Sequence, residues 1–190
     1  MMAPRVYKAE GIILKRKNVG EADRIITIFT KEYGKVRVIA KGIRKVASRR
    51  APHLEVFTRV YVVIHSGKSL ESVSEVQSIE VYAHMRSDLA RVSMAYYLCE
   101  LVDSLLPEKQ EHRDVFALLA QALDDLGRGN VVGIYAVSKT FTLELLWTQG
   151  FLPRNKMLTG DKLRLFIESI TERRMKSTHF ARQLMGQSRA

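Results

Sequence analysis

From Val6 onward the apolar positions alternate with polar ones in short runs, and the runs are broken by glycine, asparagine or proline. This period of two is the mark of half-buried strands. "VYKAEGIILKRK" reads as a first strand, with Gly11 expected at a bulge or sharp bend. "NVG" turns the chain into "EADRIITIFTKE", and "YG" at 33–34 leads into "KVRVIAKG". After a polar loop around Ser48 to Pro52, "LEVFTRVYVVIH" forms a fourth strand, "SGK" a turn and "SLESVSEVQ" a fifth. Five short strands in fewer than eighty residues predict a small closed barrel.

The period then changes to three and four. Tyr82, Met85, Leu89, Val92, Tyr96, Cys99, Val102 and Leu106 define one face of a long helix that Pro107 ends. Val115, Leu119, Ala122 and Leu126 predict a second helix, stopped by "GRG" at 127–129. Ile134, Val137, Phe141, Leu145 and Thr148 predict a third, closed by Gly150 and Pro153. A fourth, capped by Thr159 or Asp161, should turn Leu163, Phe166 and Ile170 inward. A short last helix should start at Ser177. The fold class is α+β: a five-stranded OB-fold barrel over residues 1–79 and a helical bundle over 80–190.

Charge sharpens that division. Residues 1–78 carry 16 Lys/Arg against 7 Asp/Glu, residues 79–152 carry 6 against 10, and residues 153–190 carry 9 against 3. The net charge of +11 points to a polyanionic partner. Its densest stretch is "GKVRVIAKGIRKVASRR", Gly34 to Arg50, which has no acidic residue. In the third strand Val36, Val38 and Ala40 should face the core, leaving Lys35, Arg37 and Lys41 outside with Ile39. Arg44, Lys45, Arg49 and Arg50 extend that basic row into the following loop. Arg16, Lys17 and Arg24 approach it from the first two strands. Any one of these is an ordinary solvated charge. Together, residues 11–50 set twelve cations against three acids, whereas a surface serving only solubility would mix both signs. Such a face binds phosphates through counterion release and should weaken steeply with salt. Tyr7, Tyr33, Phe57 and Tyr61 are available to stack bases. Phe57 and Tyr61 should share a face with Arg59, although barrel packing explains that pair equally well.

Other chemistries fit poorly. Gly67-Lys68-Ser69 resembles the end of a phosphate-binding loop, but Val62 stands where its first glycine is needed. "GRGNVVG" misses the dinucleotide fingerprint by one residue of spacing. The five histidines are scattered, and Cys99 is the only cysteine, so neither a metal site nor a disulfide is expected. No nucleophile is marked, no catalytic activity is expected, and no cofactor is implied. The longest aliphatic or aromatic stretch, Val60 to Ile64, is too short to span a membrane, and "MMAPRVYKAEG" lacks the apolar core of a signal peptide. A cytoplasmic, nucleoid-associated protein is the expectation.

These features in this order resemble the bacterial recombination mediator family RecO. Gly20-Glu21, Phe29-Thr30, Gly34-Lys35-Val36-Arg37 and Ala40-Lys41-Gly42 followed by Arg44 match that family's N-terminal pattern. "FTLELLWTQGFLP" at 141–153 is similar to its third-helix signature, and "RRMKSTHFARQLM" at 173–185 to its closing helix. The resemblance implies binding of single- and double-stranded DNA and annealing of complementary strands coated with single-strand binding protein (SSB). It also implies work with RecR to load the recombinase RecA. It further implies a receptor for the acidic, phenylalanine-ending SSB tail, for which Lys139, Arg91 and Arg128 are the candidate cations. Family members commonly insert a four-cysteine zinc segment after the Gly-aromatic step. Here only "RNKMLTGDK" stands there, so no zinc module is expected near 153–160. A sequence-indifferent RNA-binding protein or a protein–protein adaptor are the competing readings.

Overall fold

The computed structural model describes residues 5–67, 69–128 and 133–171. They fall into two compact units. One runs to Val81 and includes Leu106–Phe116; the other comprises Tyr82–Leu105 and the residues from Ala117 onward.

The first unit is built on strands β1 (Val6–Val19), β2 (Asp23–Thr30), β3 (Gly34–Ala40), β4 (Arg59–His65) and β5 (Glu71–Glu80). They close a barrel in the order β1-β2-β3-β5-β4, the OB-fold expected from the strand count. β1 is long enough to pair antiparallel with both β2 and β4. Closure between β3 and β5 is parallel and brief, through Val38 with Glu71 and Ile39 with Ser72. Ile13, Ile26, Ile28, Val36, Val38, Val60, Val62 and Ile64 fill the interior, as period-two alternation demands. The bulge is not at Gly11, which pairs regularly with Thr30 and with Val60. It falls between Ile13 and Lys15. Gly11 serves instead to let strands approach, since a side chain there would run into the Ile28 methyl.

β4 begins five residues later than expected. Leu54 ends a short 3-10 turn (Ala51–Leu54) and Phe57 adopts a left-handed backbone, φ 57°. Phe57 is therefore not on the strand. It is buried, with its N–H donating to the Ile13 carbonyl at 2.7 Å.

In the second unit the single long helix is broken in two. α1 (Ala83–Arg86) ends at Ser87, and α2 (Leu89–Leu105) starts afresh. Asp88 makes the break, because its Oδ1 accepts from the N–H groups of Ala90 at 2.9 Å and Arg91 at 3.2 Å. This satisfies two of the donors that open a helix. Burial opposes ionisation of Asp88, but the donors of Arg91 and Ala90 outweigh it and hold the carboxyl below its ordinary range. α3 (Arg113–Arg128) continues through Gly127, past the expected stop. α4 (Ile134–Thr148) matches its expectation and packs on α2, where the Thr142 hydroxyl meets that of Tyr97 at 3.5 Å. In α5 (Gly160–Thr171) Leu163 and Ile167 are buried, while Phe166 and Ile170 are only half-buried. The helix expected from Ser177 lies outside the described residues.

Candidate nucleic-acid interface

The bulge after Ile13 decides which cations share a face. A strand changes sides at every residue, and one extra residue shifts everything beyond it. Lys15 therefore aligns with Thr27, which aligns with Arg37. Thr27 lies between the inward Ile26 and Ile28, so this row faces out. The next outward row is Lys17, Ile25 and Ile39. Neighbouring rows on one face stand about 6.6 Å apart and neighbouring strands about 4.8 Å apart. Lys15, Lys17 and Arg37 are thus spread over a small plate, all three exposed, above half-buried Ile25 and Ile39. The sequence alone does not single out Lys15. Only the register reveals that it belongs with Arg37.

Arg16 and Arg24 lie elsewhere. Arg16 aligns with the core residue Ile26, and Arg24 with Ala40, so both carry core parity at the barrel mouth. There Glu55 pairs with Arg16 and lies 3.7 Å from Arg24, whose Nε also donates to Asn18 Oδ1 at 2.9 Å. They close the mouth and do not extend the outward row.

Lys35 also departs from expectation. Its parity is outward, in a row with Phe29 and Ile12, but it is only 7% exposed. Residues 106–116 run alongside: Lys109 N–H donates to the Lys35 carbonyl at 2.8 Å, and the Phe116 ring lies 5.8 Å from that of Phe29. Gly34, at φ 65°, permits the approach, because a side chain there would overlap the Gln110 backbone. This cover could not be read from the strand alone.

The loop from Lys41 to Thr58 is tied down on both sides of its tip. Gly42 N–H donates to Asp23 Oδ1 at 2.7 Å and Arg44 N–H to the Ala22 carbonyl at 2.9 Å. The Arg44 guanidinium reaches the Gly20 carbonyl at 3.2 Å. Ile43 and Leu54 plug the barrel end and join its core, so removing either side chain should cost about 2–5 kcal/mol. Arg50, expected to meet phosphate, instead donates to the Val73 and Lys41 carbonyls, each at 2.7 Å. It staples the loop to β5. Lys41, Arg44, Lys45 and Arg49 remain exposed on this fixed support. Because the loop is pinned to the β1–β2 turn, it lies at the Lys17 end of the outward plate.

The aromatic residues divide differently from their expected roles. Tyr7 and Tyr33 pack on each other at 4.5 Å, and the Tyr7 hydroxyl donates to Glu71 Oε2 at 2.9 Å. Burial and then the Glu71 carboxylate raise the Tyr7 phenol far above its ordinary range, which keeps it neutral. Tyr61 is 57% exposed, but its cross-strand neighbours are Glu10 and Gln77 rather than cations.

Of the three helical cations, Arg91 is committed. Its Nε donates to Asp88 at 3.0 Å and its Nη1 to the Leu126 carbonyl near the end of α3 at 2.7 Å, with the side chain 15% exposed. Arg128 at the end of α3 and Lys139 on the outer side of α4 are exposed. Among the described residues no group of three His, Cys, Asp or Glu could hold a metal ion. No helix among them is long and apolar enough to cross a membrane.

Comparison with known proteins agrees with this architecture. Residues 2–82 match the family model described as "Recombination protein O N terminal", and residues 86–156 match "Recombination protein O C terminal". The chain is similar to proteins named "DNA repair protein RecO". That of Roseiflexus sp. is 37% identical over 153 residues, 80% of this chain and 53% of the relative. That of Symbiobacterium thermophilum is 36% identical over 148 residues, 78% of this chain and 58% of the relative. That of Bifidobacterium longum subsp. infantis is 36% identical over 151 residues, 78% and 63% respectively. The chain thus spans a little over half the length of the first two. The segment 173–185 lies beyond both matched families and outside the described residues.

Proposed function

We propose, since the chain belongs to the recombination protein O family, that it is a DNA-binding recombination mediator. In this reading the barrel unit holds single- and double-stranded DNA, and the helical unit serves protein partners. The observation that carries it is the seven exposed cations on one continuous support: Lys15, Lys17 and Arg37 on the plate, then Lys41, Arg44, Lys45 and Arg49 on the stapled loop. A rigid cationic surface of this kind holds phosphates without reading sequence. Two strands held against it repel each other less, which favours their annealing. Arg16, Arg24, Lys35 and Arg50 contribute to the field and to the shape of the support.

Annealing of SSB-coated complementary strands, joint action with RecR and loading of RecA are parts of the same proposal. They rest on the family and not on any one residue. For the SSB tail, Lys139 and Arg128 are the candidate cations, since Arg91 already has two partners. The test is annealing of complementary oligonucleotides coated with SSB, with and without the protein. Acceleration that disappears when Lys41, Lys45 and Arg49 are changed to Glu is the expected result. Tight binding of bare strands without annealing of coated ones would leave only a general nucleic-acid binder. Equal affinity for RNA of the same length would favour the RNA-binding alternative.

A further inference from the structure

Within the cationic loop one residue contradicts its surroundings. Val46 is fully exposed, at 108% of its reference area, while Ile43, three residues earlier, is 1% exposed and fills the barrel end. Two linked turns produce this contrast. Lys45 N–H donates to the Gly42 carbonyl at 3.2 Å, and Ser48 N–H donates to the Lys45 carbonyl at 2.9 Å. Val46 and Ala47 are therefore the two central residues of the second turn, which directs them away from the body. Below the turns, Gly42, Arg44 and Arg50 bind Asp23, Ala22, Val73 and Lys41, so the tip is held out by a braced base.

A solitary exposed valine on a protein surface is ordinary. This one sits at the crest of a loop whose exposed cations are Lys41, Arg44, Lys45 and Arg49. Those cations define the occupant: a polyanion drawn to them brings whatever it carries beside its phosphates against the crest. In a single strand that is the apolar face of an unpaired base. We propose that Val46 is a base-contacting point, an apolar wedge against which one nucleobase of a phosphate-bound single strand rests. Minor-groove proteins likewise set apolar side chains against bases, inserting them between the steps of a duplex. The inference rests on the phosphate-binding reading of this loop and adds a contact to the base.

The test compares a labelled oligothymidylate with an abasic strand of the same phosphate count. With Val46→Ser, affinity for oligothymidylate should fall about three- to tenfold, the scale of one partly buried aliphatic side chain, while affinity for the abasic strand stays unchanged. Val46→Phe should tighten binding to the base-bearing strand alone. The salt dependence should be the same for all three proteins, because no cation has been altered. A Val46→Ser protein that binds both strands as wild type does, or loses both equally, overturns the inference. Wild type that holds both strands with equal affinity overturns it too, yet leaves the phosphate reading standing. Wild type that holds neither removes both. Loss of binding to phosphatidylserine vesicles by Val46→Ser, with oligothymidylate binding intact, assigns the wedge to a lipid surface and also overturns it.

Discussion

Arg49 and Arg50 are adjacent and chemically identical, yet the structure ties Arg50 to two backbone carbonyls and leaves Arg49 exposed. Removing either lowers the charge by one. Arg50→Ala removes two hydrogen bonds of 2.7 Å from a guanidinium to the Val73 and Lys41 carbonyls. Hydrogen bonds to charged groups contribute about 1.5–3 kcal/mol each. Arg50 is only half-buried, so water replaces part of that, and the expected net loss is about 1–2 kcal/mol in total. Arg49 is exposed, and its replacement should change stability by no more than about 0.5 kcal/mol. Binding should show the reverse. Removing one cation that neutralises a phosphate flattens the dependence of log affinity on log salt by about 0.7 for a single strand. Arg49→Ala should flatten it by about that amount, and Arg50→Ala by less than half as much. Urea unfolding measures the first quantity, and fluorescence anisotropy of a labelled oligonucleotide across a salt series measures the second. Equal destabilisation by the two variants, or an equal change of slope, would refute the division of labour.

Three further outcomes concern the helix cap, the covered glycine and the barrel mouth. Asp88→Ala should destabilise the helical unit by about 1 kcal/mol through loss of its cap. Because the folded carboxyl ionises below its ordinary range, its contribution is present above the unfolded pKa and lost as pH falls through the folded one. The urea midpoint of wild type should therefore drop more steeply in acid than that of the variant. Gly34→Ala combines a left-handed backbone with a collision at Gln110 and should cost about 1–3 kcal/mol; hydrogen exchange at the Lys109 amide should accelerate as it releases the Lys35 carbonyl. Glu55→Gln frees Arg16 and Arg24 from their shared partner, so DNA affinity should rise about two- to fivefold at low salt and the gain should vanish at high salt.

The strands, their inward residues and the barrel were legible because burial on one side of a strand imposes a period of two. Ile26, Ile28, Val36, Val38, Val60, Val62 and Ile64 all obey it. The cationic cluster was legible as composition but not as geometry. In "IILKRK" a strict alternation would put Arg16 outside and Lys15 inside, and the unannounced bulge reverses them. Lys35 kept the predicted side of its strand and was still covered, because the covering residues come more than seventy positions later. Arg50 looked like its neighbours, since nothing local shows that a guanidinium will find two carbonyls on other segments. Asp88 carried a readable signal: an aspartate followed by Leu89 and Ala90 is a proper helix start. The unbroken spacing from Tyr82 to Leu106 masked it.

The return of residues 106–116 to the barrel has a consequence for the order in which the protein is made. The ribosome releases the five strands first, and they carry enough core to close. Their outward Phe29 then has no neighbouring Phe116, and Gly34 has nothing to receive, until roughly three dozen more residues have emerged. During that interval the nascent barrel shows an apolar flank, and the intervening α1 and α2 belong to the other compact unit. Domains mostly complete themselves in the order of synthesis. Here the earlier one must wait for a segment of chain that lies beyond the start of the later one. A fragment cut at Val81 would be fixed permanently in that waiting state, with its apolar flank open to self-association.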